Sequence, residues 1–153
     1  MNKAKEIKSK HKLDLIIIDY LQLIEMKINY NTRQEETAYI LRFFKKISRK
    51  LEIPIVILSQ LSRTVEQRKN RRPKLHDLRS SGSIEEIADK VLFIYRDEYY
   101  NLNTEEKGIA EIIISKQNEN SSNTIKLNFE KNIPLLKVSE SERDSLSLSD
   151  TFS

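Results

Sequence analysis

The 153-residue chain is 33% charged and 38% hydrophobic with a net charge of +4, the composition of a single solvated globular domain long enough to build a core. It has no cysteine, which excludes disulfides, thiolate metal sites and a cysteine nucleophile; its two histidines, His11 and His76, are too far apart to suggest a histidine-based metal site. No apolar run approaches the roughly 20 residues of a membrane helix, and the basic start MNKAKEIKSKHKLD has no apolar stretch of the kind a secretory signal needs.

In chain order, residues 2–12 read as a short basic helix with Ala4, Ile7 and His11 on one face. The segment LDLIIIDYLQLI, residues 13–24, follows. Leu13 to Asp19 is a continuous apolar run ending in an acid, the pattern of a parallel strand covered on both sides. A carboxylate buried there costs several kcal/mol unless something positive meets it. Asp19 therefore either faces a metal or cationic ligand, or is a strand end reaching water. Residues 25–32 form a polar loop, and TRQEETAYILRFFKKISRKLE is a long helix. Thr32 caps it, with Glu35 completing a capping box. Ile40, Phe44, Ile47 and Leu51 form its apolar stripe, with Phe43 beside them. Pro54 opens a second apolar strand, IPIVILSQ.

Residues 61–75 are basic and irregular. Ser83 and Glu86 form a second capping-box pattern, so a short helix is expected to start at Ser83. KVLFIYR is a third strand, DEYYNLNTEEKG a loop, IAEIIISK a fourth strand and NTIKLNF a fifth, the last two joined by NENSSN as a hairpin. From Ser139 the chain is Ser-rich and acidic and expected to be disordered, leaving residues 1–138 as the folded domain and 139–153 as a tail.

Strands alternating with helices predict an α/β fold with a mostly parallel sheet, flanking helices and an antiparallel hairpin at one edge. Ligands bind such sheets at the carboxyl ends of the strands, where Asp19, Gln60 and Lys116 fall. The cluster Arg63, Arg68, Arg71 and Arg72 either adds electrostatic affinity for a polyanion or forms an ordinary solvated face.

Four stretches, in order, resemble the downstream half of the C-terminal motor domain of DnaB-family replicative DNA helicases. LDLIIIDYLQLI is similar to the family's Walker B strand, and IPIVILSQLSRTVEQR to its third motif. RRPKLHDLRSSGSIEEIADKVLFIYRDEYY is similar to its fourth motif, and GIAEIIISKQN to the strand and loop that follow. Together they span roughly Lys3 to Phe129. The resemblance implies a partial RecA-like, P-loop NTPase fold and an ATP-dependent helicase using ATP and Mg²⁺. Asp19 would hold the metal beside the phosphates, Gln60 would sense the γ-phosphate, and Lys116 would complete the catalytic set. Arg79, Ser80, Ser81 and Gly82 would follow single-stranded DNA through a homo-oligomeric ring.

The residues also depart from the family. No GxxxxGK[ST] phosphate loop is present, and the two glycines, Gly82 and Gly108, lie elsewhere. Asn118 stands where the family has an arginine finger, a residue typically worth about 10³–10⁵ in rate. Ser80 replaces a Glu, and NENSSN lacks the family's turn glycines and proline. The expectation is a chain inactive alone and completed by an upstream part bearing the Walker A loop. The alternative is a non-catalytic or degenerate single-stranded-DNA-binding or assembly module. An A+T-biased composition without a secretory signal suggests a plastid (chloroplast) stroma or a bacterial cytoplasm, with no membrane partner.

Overall fold

A computed structural model of the chain describes residues 2–26, 30–78, 81–116, 123–130 and 135–138. These fall into two compact units. The first contains α1 (Asn2–Lys10), β1 (Ile16–Ile18), α2 (Arg33–Leu51), β2 (Ile55–Ile57), α3 (Thr64–Gln67) and α4 (Ser81–Ile87). The second contains Asn70–Pro73, β3 (Val91–Tyr95), α5 (Asp97–Tyr100), β4 (Ile109–Lys116), β5 (Asn123–Glu130) and β6 (Leu135–Val138). The result is an α/β architecture with one parallel and one antiparallel sheet.

In the first unit β1 and β2 pair in parallel, Ile16 opposite Ile55 and Ile18 opposite Ile57. The ladder runs past the strand ends: Leu58 N donates to Ile18 O at 2.9 Å and Leu21 N to Leu58 O at 2.8 Å. α2 forms where its stripe predicts, since Ile40, Ile47 and Leu51 are buried together with Leu41 and Ala38. Ile47, Leu51 and Ile53 make a small core to which Ala4, Leu13, Ile16, Phe44 and Ile55 add partly buried side chains. At the start of α2, Thr32 Oγ1 accepts from Glu35 N at 3.2 Å. At its end Glu52 takes a left-handed φ of 49° and donates to Ser48 O. The Lys8 ammonium of α1 donates to the Leu51 carbonyl, setting a cation against the negative end of the helix dipole. Replacing Thr32 with alanine leaves the Glu35 N–H without its cap. We expect a loss of about 1 kcal/mol, read by urea denaturation of the chain.

The expectation that the first strand is covered on both sides is overturned. One face of the β1–β2 sheet packs on α2. The other presents Leu15, Ile17, Val56 and Leu58 outward, with Ile17 62% and Val56 46% exposed. The apolar run is correct for a doubly covered strand, but the described residues of this unit supply only one covering layer.

In the second unit the strand order is β3-β4-β5-β6, antiparallel throughout. β4 and β5 have the extents expected from sequence, within a residue. β3 does not extend a parallel sheet: among the described residues it pairs with β4, with a register shift between Val91 and Leu92. β6 is an addition, four residues after Pro134 that carry too little alternation to declare a strand. The short helices α3 and α5, and a 3-10 turn over Leu75–Asp77, also fill segments expected to be irregular.

Glu111 of β4 is the least solvated carboxylate of this unit, 2% exposed. Arg72 meets it with both terminal nitrogens, Nη2 lying 2.6 Å from Oε1, and stacks its guanidinium over Tyr95, 5.0 Å from the ring centroid. The Tyr95 hydroxyl donates to Asp97 Oδ1 at 2.7 Å. Burial, reinforced by that carboxylate, pushes the Tyr95 phenol up to about 12. A hydrogen bond with Thr104, then that from Tyr95, holds the Asp97 carboxyl below its ordinary range. Arg71 packs over Tyr100, 5.1 Å from the ring centroid.

Candidate functional site

Asp19 directly follows β1, and Gln60 lies three residues beyond β2. Because the strands are parallel, both residues emerge at the carboxyl end of one sheet. Their side chains also share a face. Exposure alternates along both strands, and Leu15, Ile17 and Asp19 are exposed in the same phase as Val56, Leu58 and Gln60. The Asp19 carboxylate therefore reaches solvent on the open side of the sheet, so no cation is needed to offset burial. The Asp19–Tyr20 peptide is cis.

A residue that pattern reading missed joins the two strand ends. The Gln22 side chain donates through Nε2 to Ser59 Oγ at 3.1 Å and accepts through Oε1 from Gln60 N at 3.2 Å. Its own carbonyl accepts from Arg33 Nη2 at 3.1 Å, and Arg33 Nη1 pairs with Glu36 at 2.5 Å. The Glu36 carboxyl is held below its ordinary range by the Met26 backbone N–H and then by Arg33. Nothing in the periodicity marks Gln22. Only the pairing of Leu21 with Leu58 puts the residue after it beside Ser59 and Gln60.

Among the described residues no three His, Cys, Asp or Glu side chains gather into a metal cage. An exposed lone carboxylate suits a hard divalent ion that keeps waters and takes its remaining oxygens from a phosphate ligand, as Mg²⁺ does. Gln60, at the same end and on the same face of the sheet, offers a neutral amide, able both to donate and to accept. Lys116 ends β4, half-buried, in the second unit.

Of the residues expected to contact DNA, Arg79 and Ser80 lie outside the described residues, as do Gln117, Asn118 and the NENSSN connection through Ser122. Ser81 opens α4, and Gly82 follows in its first turn. A methyl group at Gly82 would meet only the side-chain amide of Gln34, at 3.4 Å, which places the start of α4 beside α2. The helix starts two residues earlier than the capping-box pattern suggested. Ser83 is not the cap: it is buried in the first turn, and its hydroxyl donates to Gln34 O at 3.5 Å.

Two of the four clustered arginines make ion pairs with buried carboxylates rather than forming a plain solvated face. Arg72 is occupied by Glu111 and Tyr95. Arg68 donates through Nη2 to Asp77 Oδ2 at 2.7 Å, and Asp77 is 2% exposed. Arg68 and Arg72 therefore serve internal ion pairs.

Comparison with known proteins agrees with this arrangement. The family model described as DnaB-like helicase C terminal domain matches residues 1–137. The chain is 48% identical over 128 residues to the replicative DNA helicase DnaB of Geobacillus stearothermophilus, covering 83% of this chain and 28% of that protein. It is 48% identical over 130 residues to the replicative DNA helicase DnaC of Bacillus subtilis (strain 168), covering 84% and 29%. Among solved structures, an ATPase domain superposes with a TM-score of 0.84 at 40% identity, over 91% of this chain and 50% of that one. A DnaB-like replicative helicase described with its interactions with primase gives a TM-score of 0.82 at 40% identity, over 89% and 34%. The chain thus spans less than a third of the two bacterial helicases and half of that ATPase domain. With its strand-end carboxylate, strand-end glutamine and RecA-like architecture, it belongs to the DnaB-like helicase C-terminal domain family.

Proposed function

We propose that this chain is the downstream part of an ATP-dependent, DNA-unwinding replicative motor, working with ATP and Mg²⁺ once a part bearing the Walker A loop completes it. The observation that carries this reading is the placement of Asp19 and Gln60 at one end and on one open face of the β1–β2 sheet. That face is apolar along its length, which suits burial under another layer of protein rather than water. Its polar end is where a phosphate loop would have to arrive. The half of the matched ATPase domain that this chain does not cover is an occupant of the right kind.

In the completed site Asp19 would hold Mg²⁺ and Gln60 would read the terminal phosphate. The bound ion supplies charge neutralisation at the phosphates. Lys116 joins the catalytic set, and Arg79, Ser80, Ser81 and Gly82 track single-stranded DNA, with a homo-oligomeric ring as the working assembly. We take residues 1–138 as the motor segment and 139–153 as lying beyond it, a boundary supported by the end of the family match at residue 137. No described helix is long and apolar enough to cross a membrane. The A+T-biased composition supports a plastid stroma or a bacterial cytoplasm as the setting.

The test is complementation. The chain is mixed with the Walker A-bearing half of the ATPase domain from the Geobacillus relative, and phosphate release is measured with and without single-stranded DNA. Hydrolysis in the mixture and in neither part alone is the expected result. A mixture that associates but never hydrolyses ATP, while single-stranded DNA still binds, overturns the motor reading. That outcome favours the assembly module, to which Asn118, in place of the arginine finger, already points.

A further inference from the structure

Two segments leave the functional end of the first unit: the chain after Gln60, and the chain that leads into α4. They are joined by a compact set of contacts. Leu61 and Leu78 form an isolated antiparallel bridge. Ser62 N donates to Asp77 O at 2.8 Å. The Asp77 carboxylate closes the turn beneath, accepting from Lys74 N at 2.8 Å and from Arg68 Nη2 at 2.7 Å. His76 lies at the rim, its Nε2 3.4 Å from Asp77 Oδ1 and 3.0 Å from Arg68 Nη1. Asp77 is almost fully buried, whereas the Arg68 side chain is 30% exposed. A carboxylate so placed is expensive to bury unless it is paired and hydrogen-bonded, and this one has both. Almost fully buried and bonded to the Lys74 amide and Arg68, the carboxylate holds the backbone of this turn.

We infer that Arg68 and Asp77 are a positioning pair for the single-stranded DNA contact at the start of α4, locking residues 74–78, which precede Ser81 and Gly82 in the chain, against Leu61 and Ser62 after Gln60. This rests on the proposed DNA role of that helix start. The pair touches no nucleic acid itself. It holds the chain at Leu78, three residues ahead of Ser81.

The sign of a charge effect separates this role from simple electrostatics. The full chain is titrated with a fluorescein-labelled oligo-dT, by anisotropy, at several salt concentrations. Asp77→Asn removes a negative charge near a polyanion. If Asp77 is only a repelling charge, binding tightens. As a positioning residue its loss weakens binding by about tenfold, or about 1.4 kcal/mol, with the salt slope unchanged. Arg68→Gln weakens binding by a similar factor, again with an unchanged slope. A fall in slope of about one would mark Arg68 as a direct phosphate contact and overturn the inference. Arg68→Lys, which keeps a donor and the charge, restores part of the affinity. Thermal melting is followed throughout. Should Asp77→Asn fail to fold, the half-solvated Arg68→Gln carries the test, with amide exchange at Ser62 and Leu78 rising while α2 stays protected. Unchanged or tighter DNA binding in a folded variant overturns the inference. Failure of the DNA reading itself looks different: the unaltered chain, or Arg79→Ala against it, shows no specific binding to lose, and the inference falls with it.

Discussion

In the complemented assembly, Asp19→Ala lowers ATP hydrolysis by about 10²–10³-fold while leaving the stability of this chain within about 0.5 kcal/mol. Both halves of that expectation follow from the position of the residue. Asp19 is exposed and follows the last residue of β1, so its side chain supports neither the ladder nor the core. A carboxylate that orients a phosphate-bound divalent ion contributes several kcal/mol of charge stabilisation, and each 1.36 kcal/mol is a decade of rate. Asp19→Asn falls short of Asp19→Ala in rate loss, because an amide oxygen remains a weak hard-cation ligand. Phosphate release at saturating ATP and Mg²⁺, beside urea denaturation of the chain alone, reads the two quantities separately. Equal hydrolysis in the variant and the unaltered assembly removes Asp19 from the site.

Arg72→Ala has the opposite profile: a loss of about 3 kcal/mol of stability, with no specific effect on the salt dependence of DNA binding. Removing one partner of a buried ion pair strands the other, at a cost of about 3–5 kcal/mol. The lower end applies here, since the Arg72 side chain is 43% exposed while Glu111 is buried. The guanidinium stack on Tyr95 is lost as well. Glu111→Gln costs less, because the amide oxygen still accepts from Arg72 and the guanidinium that loses its counter-charge is partly solvated. The same network carries a pH signature. Tyr95 ionises near 10 when unfolded but at about 12 in the fold, so its neutral form is favoured by folding. Below pH 10 that preference changes nothing. Between pH 10 and 12 the unfolded chain releases the proton first, and stability falls as pH rises. Tyr95→Phe removes this component of the alkaline loss. Urea midpoints of the two proteins across that range make the comparison.

The placement of Asp19 and Gln60 in the candidate site was legible because its signals are local. An apolar run ending in Asp19, a second ending in Gln60, and a helix of correct phase between them are properties of neighbouring residues. They are enough to predict parallel pairing and a shared carboxyl end. The four DnaB-like stretches are likewise contiguous in the chain. What escaped was set by contacts distant in sequence. Gln22 matters because the pairing of Leu21 with Leu58 carries it to Gln60, 38 positions away. Arg72 is recruited by Glu111 across 39 positions. In sequence it is one basic residue among several, and no count of charges distinguishes a DNA cation from the partner of a buried acid. Ser83 differs for a related reason: a serine three residues before a glutamate signals a cap only if it lies outside the helix, and here it lies inside one, buried and bonded to the Gln34 carbonyl 49 positions away.

By itself, then, the sequence determined the elements around the carboxyl end of the β1–β2 sheet, their order and the chemistry of the side chains at the strand tips, because periodicity and capping act over a few residues. Only the tertiary structure decided that, among the described residues, the β1–β2 sheet is covered on a single side and β3 pairs with β4. It also decided that Arg68 and Arg72 are spent on Asp77 and Glu111. Burial and ion pairing are properties of what the fold brings near, and the same apolar strand or arginine reads identically in the chain whether a neighbour meets it or water does.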